Sequence, residues 1–186
     1  MAESKYANLL HTVKYEGRDE WFSDSDSEYR TLFGPGMYCK DTDPNAPIFI
    51  DIMQLFKKDT GFGLGATTIM HGEEIVDTPH KHECPEIFVF CGTDPQHPED
   101  IGGTIEFWIG EGEEAEKFEI TEPTFVYLPP NVVHQPTWLK ECHGNVLCMN
   151  ILMQGDMNIQ TVDVYPPAYE GPARFAEHRA KYRDAE

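Results

Sequence analysis

Between residues 48 and 153 the chain breaks into short apolar runs separated by Gly, Pro, Asn and Asp, and no stretch in that span keeps a helical period. The runs are Ile48–Met53, Phe62–Met70, Glu86–Phe90, Thr104–Ile109, Lys117–Thr121, Thr124–Leu128, Val132–Trp138 and Val146–Met153, each 5 to 9 residues long and rich in β-branched and aromatic side chains. Runs of this length bounded by turn formers read as strands, and their regular succession predicts an all-β sandwich or barrel. No internal repeat divides the span, so it predicts one barrel over residues 47–155.

The flanks differ in texture. Residues 1–46 are polar, with an acidic patch at Asp24, Asp26 and Glu28 and turn signals at Gly34-Pro35-Gly36 and Asp43-Pro44-Asn45. They also hold Trp21, Phe22, Tyr29, Phe33 and Tyr38, too many aromatics for free disorder. An N-terminal extension packing on the barrel or on a partner subunit is expected. Residues 156–186 form a tail in which Pro172 to Tyr182 predicts a short helix, with Pro172 in its first turn and Arg179 and Lys181 near its end.

Charge narrows the partners. Asp plus Glu number 33 and Lys plus Arg 14, a formal net charge of −19. A phosphate-binding surface needs clustered basic residues, so nucleic acid is disfavoured, and anionic membrane surfaces likewise. No run approaches the ~18 apolar residues of a membrane span, and Met1 to Val13 lacks the basic-then-apolar pattern of a secretory signal. Five cysteines without a Cys-x-x-Cys pair read as reduced thiols, most of them packed in the core of a cytoplasmic protein.

Two stretches carry chemistry. In Thr78-Pro-His-Lys-His-Glu-Cys-Pro-Glu86, His80 and His82 lie two apart, which on a strand aims both imidazoles at one point. Glu86 follows a Cys84-Pro85 break and can add a carboxylate from the next strand. In Phe125-Val-Tyr-Leu-Pro-Pro-Asn-Val-Val-His134, Pro129-Pro130-Asn131 predicts a tight turn with Asn131 left-handed, after which His134 is the third inward imidazole. Imidazole plus carboxylate suits Fe, Mn, Ni, Co or Zn.

These stretches resemble the paired motifs of the cupin superfamily. The first has the form Gly-x5-His-x-His-x3,4-Glu-x6-Gly and reads here Gly72-x7-His80-x-His82-x3-Glu86-x5-Gly92. The second, Gly-x5-Pro-x-Gly-x2-His-x3-Asn, reads here Pro129-x-Asn131-x2-His134-x3-Trp138. The spacers around the first motif are altered, Asn131 replaces the turn glycine and Trp138 the final Asn, yet all four ligand positions keep ligand-type residues. The resemblance implies a cupin-type double-stranded β-helix, a jelly-roll barrel, holding one divalent transition metal on His80, His82, Glu86 and His134. Four protein ligands would leave about two sites open on an octahedral ion.

Such a site permits oxygenase chemistry, the first expectation, or lyase, isomerase or decarboxylase chemistry; a non-catalytic metal-containing binding or sensing module is the alternative from another class. Glu86 would serve as ligand and proton shuttle and Tyr127 as a hydrogen-bond donor. Between Phe62 and Met153 the only basic residues are Lys81, Lys117 and Lys140. A dianion usually wants a bidentate Arg, which Arg18 or Arg30 would have to bring from the extension. The expected substrate is therefore a small neutral or weakly acidic molecule, in a pocket lined by Met70, Phe88, Phe90, Trp108, Trp138 and Met149. A homodimer is expected through the aromatic N-terminal arm.

Other features have simpler readings. His71, His97 and His143 sit in turn-like contexts and read as exposed, with His71 the best outsider for the pocket. Gly61-x-Gly63-x-Gly65 reads as a bend in a strand rather than a phosphate loop. Cys84 reads as a packed thiol. Glu99 to Glu122, with nine acids against one lysine, reads as a solvated face.

Overall fold

A computed structural model describes residues 30–33, 38–40, 42–56, 62–64, 68–70, 73–75, 79–162, 164 and 166. Its strands are β1 (Arg30–Phe33), β2 (Phe49–Phe56), β3 (Phe62–Leu64), β4 (Thr68–Met70), β5 (Glu73–Ile75), β6 (His80–Lys81), β7 (Glu86–Gly92), β8 (Gly103–Ile109), β9 (Glu116–Ile120), β10 (Thr124–Leu128), β11 (His134–Cys142), β12 (Asn145–Leu152) and β13 (Gln160–Thr161). One 3-10 turn, Gly112–Glu114, is the only helical element among the described residues. The chain is all-β, as its apolar runs predict.

One sheet has the order β1-β2-β12-β7-β10; the other runs β13-β6-β11-β8-β9, with β3 also paired to β11; β4 and β5 form a small ribbon. Every pairing is antiparallel, and from β9 to β12 successive strands alternate between the two sheets, the pattern of a jelly roll. Alternation then sorts the side chains. On β7 the inward residues are Glu86, Phe88 and Phe90; on β12 they are Val146, Cys148, Asn150 and Leu152; on β8 they are Ile105 and Phe107. Phe88, Phe90 and Phe107 meet between the sheets with ring centroids 5.1–6.1 Å apart. Ile101, Ile105, Ile120 and Val146 complete this core. Its burial is the main stabilising term, since each fully buried side chain of this size contributes about 1.5–3 kcal/mol.

Boundaries differ from the sequence reading in three places. Phe62–Met70, expected as one strand, is two: β3 joins β11 while β4 turns away to β5. Val132–Trp138 starts at His134 because Pro129–Val132 is occupied by a turn. Arg30–Phe33, read as part of the extension, is an edge strand of the first sheet. Residues 1–29 and the helix expected over 172–182 lie outside the described residues.

Among the described residues Cys39, Cys84, Cys91 and Cys148 are free thiols; Cys39 and Cys148 are buried, whereas Cys84 and Cys91 are half-buried, so fewer of them pack in the core than expected. Burial pushes the Cys148 thiol far above its usual value, so it is an inert core group. His97 and His143 are exposed and pair with Glu99 and Asp100. In the acidic stretch Glu106 departs from the solvated reading: it is buried, accepts a hydrogen bond from Trp108 Nε1 at 2.9 Å, and lies 3.7 Å from Lys117 Nζ. No described helix is long and apolar enough to cross a membrane.

Candidate metal centre

Sheet pairing brings the two motif stretches together. His80 on β6 is the direct register partner of His134 on β11. Glu86 opens β7, opposite Leu128 and Leu152. The Pro129–Val132 turn closes with Val132 N–H donating to Pro129 O at 3.3 Å, and Asn131 sits at φ 65°, the left-handed conformation expected of it. Asn131 N–H donates to His82 O at 2.7 Å, so the second motif is tied to the backbone of the first.

Beyond the turn, β11 carries a register shift between His134 and Thr137, and within it Gln135 holds φ 74°. A positive φ is uncommon for a residue with a β-carbon. Bulges of this kind re-aim side chains and persist where surrounding structure over-determines them. Here the bulge follows the imidazole that faces the barrel interior.

The ring centroids of His80, His82 and His134 lie 5.1, 4.4 and 5.5 Å apart, and one ligand nitrogen from each falls within 4.8 Å of the others. Glu86 Oε2 is 2.8 Å from His134 Nε2 and 3.4 Å from His82 Nε2. His82, Glu86 and His134 are buried, whereas His80 is half-buried. His134 Nδ1 lies 3.1 Å from Val132 O; a carbonyl only accepts, so Nδ1–H is the donor, and in the neutral ring Nε2 presents a lone pair inward.

That lone pair meets a carboxylate. Both Glu86 oxygens, His134 Nε2 and His82 Nδ1 are buried without a hydrogen-bond partner. With the His134 ring neutral, as a metal ligand must be, the 2.8 Å approach of its Nε2 to Glu86 sets two acceptors face to face in a dry site, an arrangement that a shared cation would satisfy. Three imidazoles and a carboxylate match the donor preferences of divalent transition metals. Electrostatics agrees. Burial lowers the His82 imidazole below its usual value against the pull of Glu86. Burial works to raise Glu86, but contact with His134 and the charges of His134, His82 and His80 leave its carboxyl below the ordinary range. Both shifts favour the deprotonated forms that a metal requires.

The expected pocket residues divide. Phe88 lines the site, its ring 5.8 Å from His134. Phe90 is fully buried in the apolar core. Strand alternation places three others on outward faces. Tyr127 and Phe125 share the outward face of edge strand β10, 60% and 77% exposed. Trp108 shares the outer face of β8 with Glu106, to which it is hydrogen-bonded. Met149 pairs with Val89 and Ile52 on the outer face of its sheet. The side chains of Met70 and Trp138 lie outside the described residues, as does His71.

The same strands hold buried polar residues that the motifs did not mark. Thr137 Oγ1, Gln135 Oε1, Asn150 Oδ1 and Asp51 Oδ1 are buried without partners. Asp51 and Asn150 were visible as lone polar residues inside apolar runs, at the inward parity.

No protein-family model matches the sequence, and no curated protein matches it. Solved structures do match. Peruvianin-I, a cysteine peptidase from Thevetia peruviana latex, aligns with TM-score 0.51 and 10% identity over 87% of this chain and 82% of that one. A recombinant oxalate oxidase in complex with glycolate aligns with TM-score 0.48 and 8% identity over 86% of this chain. A mutant Bacillus subtilis oxalate decarboxylase aligns with TM-score 0.44 and 8% identity over 75% of this chain and 29% of that one. The chain spans 58% and 65% of the length of two oxalate oxidase chains, less than two thirds of each. At these identities the likeness is one of fold.

Proposed function

Taking the chain as a barrel of the cupin fold, we propose that it is a mononuclear metal-dependent enzyme acting on a small neutral or weakly acidic organic molecule, with oxygenase the first reaction class. The observation that carries the reading is the buried meeting of three imidazoles with a carboxylate whose oxygens have no hydrogen-bond partners. His80, His82, His134 and Glu86 would hold the ion. When bound, a divalent metal supplies Lewis acidity and open coordination positions to a substrate oxygen.

The rest is done by this chain's own groups. The Val132 carbonyl and the Asn131-to-His82 bond hold His134 in one tautomer and orientation, as outer partners of metal-binding histidines do. Glu86, kept ionised by its neighbours, can take and return a proton at a carboxylate oxygen. Phe88 sets an apolar ring 5.8 Å from the His134 imidazole. No Arg lies between Phe62 and Met153 to clamp a dicarboxylate, which supports a neutral ligand.

The test is the metal content of untagged protein purified anaerobically without chelator, measured by plasma mass spectrometry beside a His82→Ala, His134→Ala double variant. About one iron per chain, lost in the variant, supports the oxygenase reading and leads to oxygen-uptake assays on phenols and diketones. One manganese, nickel or zinc moves the reaction class to lyase, isomerase or decarboxylase. No metal in either protein overturns the proposal.

A further inference from the structure

The interior next to the imidazoles contains unpaired polar groups that neither motif explains. Asp51 on β2 and Asn150 on β12 are direct cross-strand partners, and Asn150 is in turn opposite Phe88 on β7. Directly opposed inward residues have β-carbons about 4.5–5.5 Å apart, so Asp51, Asn150 and Phe88 form one row. The row beside it contains Glu86. Phe88 touches both His134 and Phe107, and Phe107 is the register partner of Thr137 on β11. The three polar residues thus flank one aromatic pair, a single row from the histidine cluster.

Their polar atoms are orphaned. Thr137 is 1% exposed with no partner for Oγ1, and Asn150 Oδ1 and Asp51 Oδ1 are buried in the same state. A buried acceptor left unpaired costs about 1–3 kcal/mol. Three around one aromatic pair imply a group that completes them, and the unpaired carboxylate and amide oxygens ask for hydrogen-bond donors. Glu86 and Asp51 carry two negative charges, which would balance one divalent cation and leave a neutral ligand favoured.

Resting on the metal-enzyme reading above, we infer that Asp51, Asn150 and Thr137 form the substrate-recognition patch of the barrel and accept the hydroxyl groups of a neutral, hydroxyl-bearing organic molecule. The aromatic wall of Phe88 and Phe107 suits a flat or ring-shaped carbon skeleton. Burial raises the Asp51 carboxyl to about 6, which still leaves it largely ionised and an acceptor at neutral pH.

Catechol and myo-inositol serve as neutral hydroxyl donors and malonate as the dianion. Each is titrated calorimetrically into the full-length protein, with Mn2+ and without, alongside Thr137→Val, Asn150→Leu and Asp51→Asn. The melting temperature of each metal-free variant is recorded in parallel. At least one hydroxyl donor is expected to bind wild type, and Thr137→Val and Asn150→Leu to weaken it tenfold or more. Their metal-free melting temperatures should hold or rise, because an apolar isostere relieves an unpaired group. Unchanged affinity with lowered melting temperature would mean a purely structural role and overturn the inference. Binding of malonate alone, or of no probe, overturns it too. Mn2+ binding is measured on the same samples: its absence defeats the enzyme reading, while variant-sensitive catechol or inositol binding would still uphold the patch.

Discussion

Along β7 the inward side chains pass from Glu86, whose two carboxylate oxygens lack hydrogen-bond partners, to Phe90, which is fully buried among apolar neighbours. The other strands repeat the gradient. On β12 the sequence runs from Asn150 to Cys148 and Val146, and Thr137 on β11 stands between His134 and the part of the strand opposite Ile105. One zone of the interior is therefore packed, and its neighbour on the same strands holds polar groups that burial alone makes unfavourable. The packed zone supplies the stability that lets the histidine zone keep its orphans, a division between stability and function seen wherever sites are strained.

The largest effect should come from breaking the packed zone. Phe107→Ala removes the ring that Phe88 and Phe90 both touch and is expected to cost about 3–5 kcal/mol in urea unfolding. Under native conditions the variant should still bind Mn2+; a lost metal with intact stability would contradict the division. Next, Glu86→Gln removes the carboxylate that touches His82 and His134. It should leave the metal-free protein as stable or more so, while Mn2+ affinity falls by more than the roughly 10–100-fold that loss of an outer partner costs.

A third test uses pH on metal-free protein. Asp51 is raised to about 6, chiefly by burial. Below about pH 4 folded and unfolded chains both hold this proton and the group has no effect. Between about pH 4 and 6 the unfolded chain releases it first, so stability falls as pH rises, and the deficit is constant above. The full deficit is at most about 3 kcal/mol. Asp51→Asn should flatten that part of the profile; an unchanged slope by chemical denaturation would place the carboxylate in water. The smallest effect is expected outside the barrel: Phe125→Ser, on the exposed edge strand, should change stability by no more than about 0.5 kcal/mol.

Much of this was legible before folding. Eight apolar runs announced an all-β chain, His-x-His announced two imidazoles on one side, and Asn131 announced the left-handed turn that delivers His134. The pocket was less legible. Trp108, Tyr127 and Met149 are large and apolar or aromatic, as a pocket lining should be, yet each falls on the outward parity of its strand. A one-residue change of register reverses every side chain on a strand, and composition carries no record of it.

The sequence by itself determined what is local: strand periodicity, turn chemistry, and the kinds of atom available to bind an ion. Those follow from backbone sterics and donor types, which neighbouring residues already specify. Only the tertiary structure decided which distant residues share a row. Asp51, Asn150 and Thr137 come from three separate strands; cross-strand pairing puts Asp51 and Asn150 in the row of Phe88, and the packing of the two sheets sets Phe88 against Phe107, the partner of Thr137. Tertiary structure also sets charge: enclosure lowers the His82 imidazole and leaves the Glu86 oxygens without hydrogen-bond partners, while the imidazoles brought beside Glu86 hold its carboxyl below the ordinary range against the effect of burial.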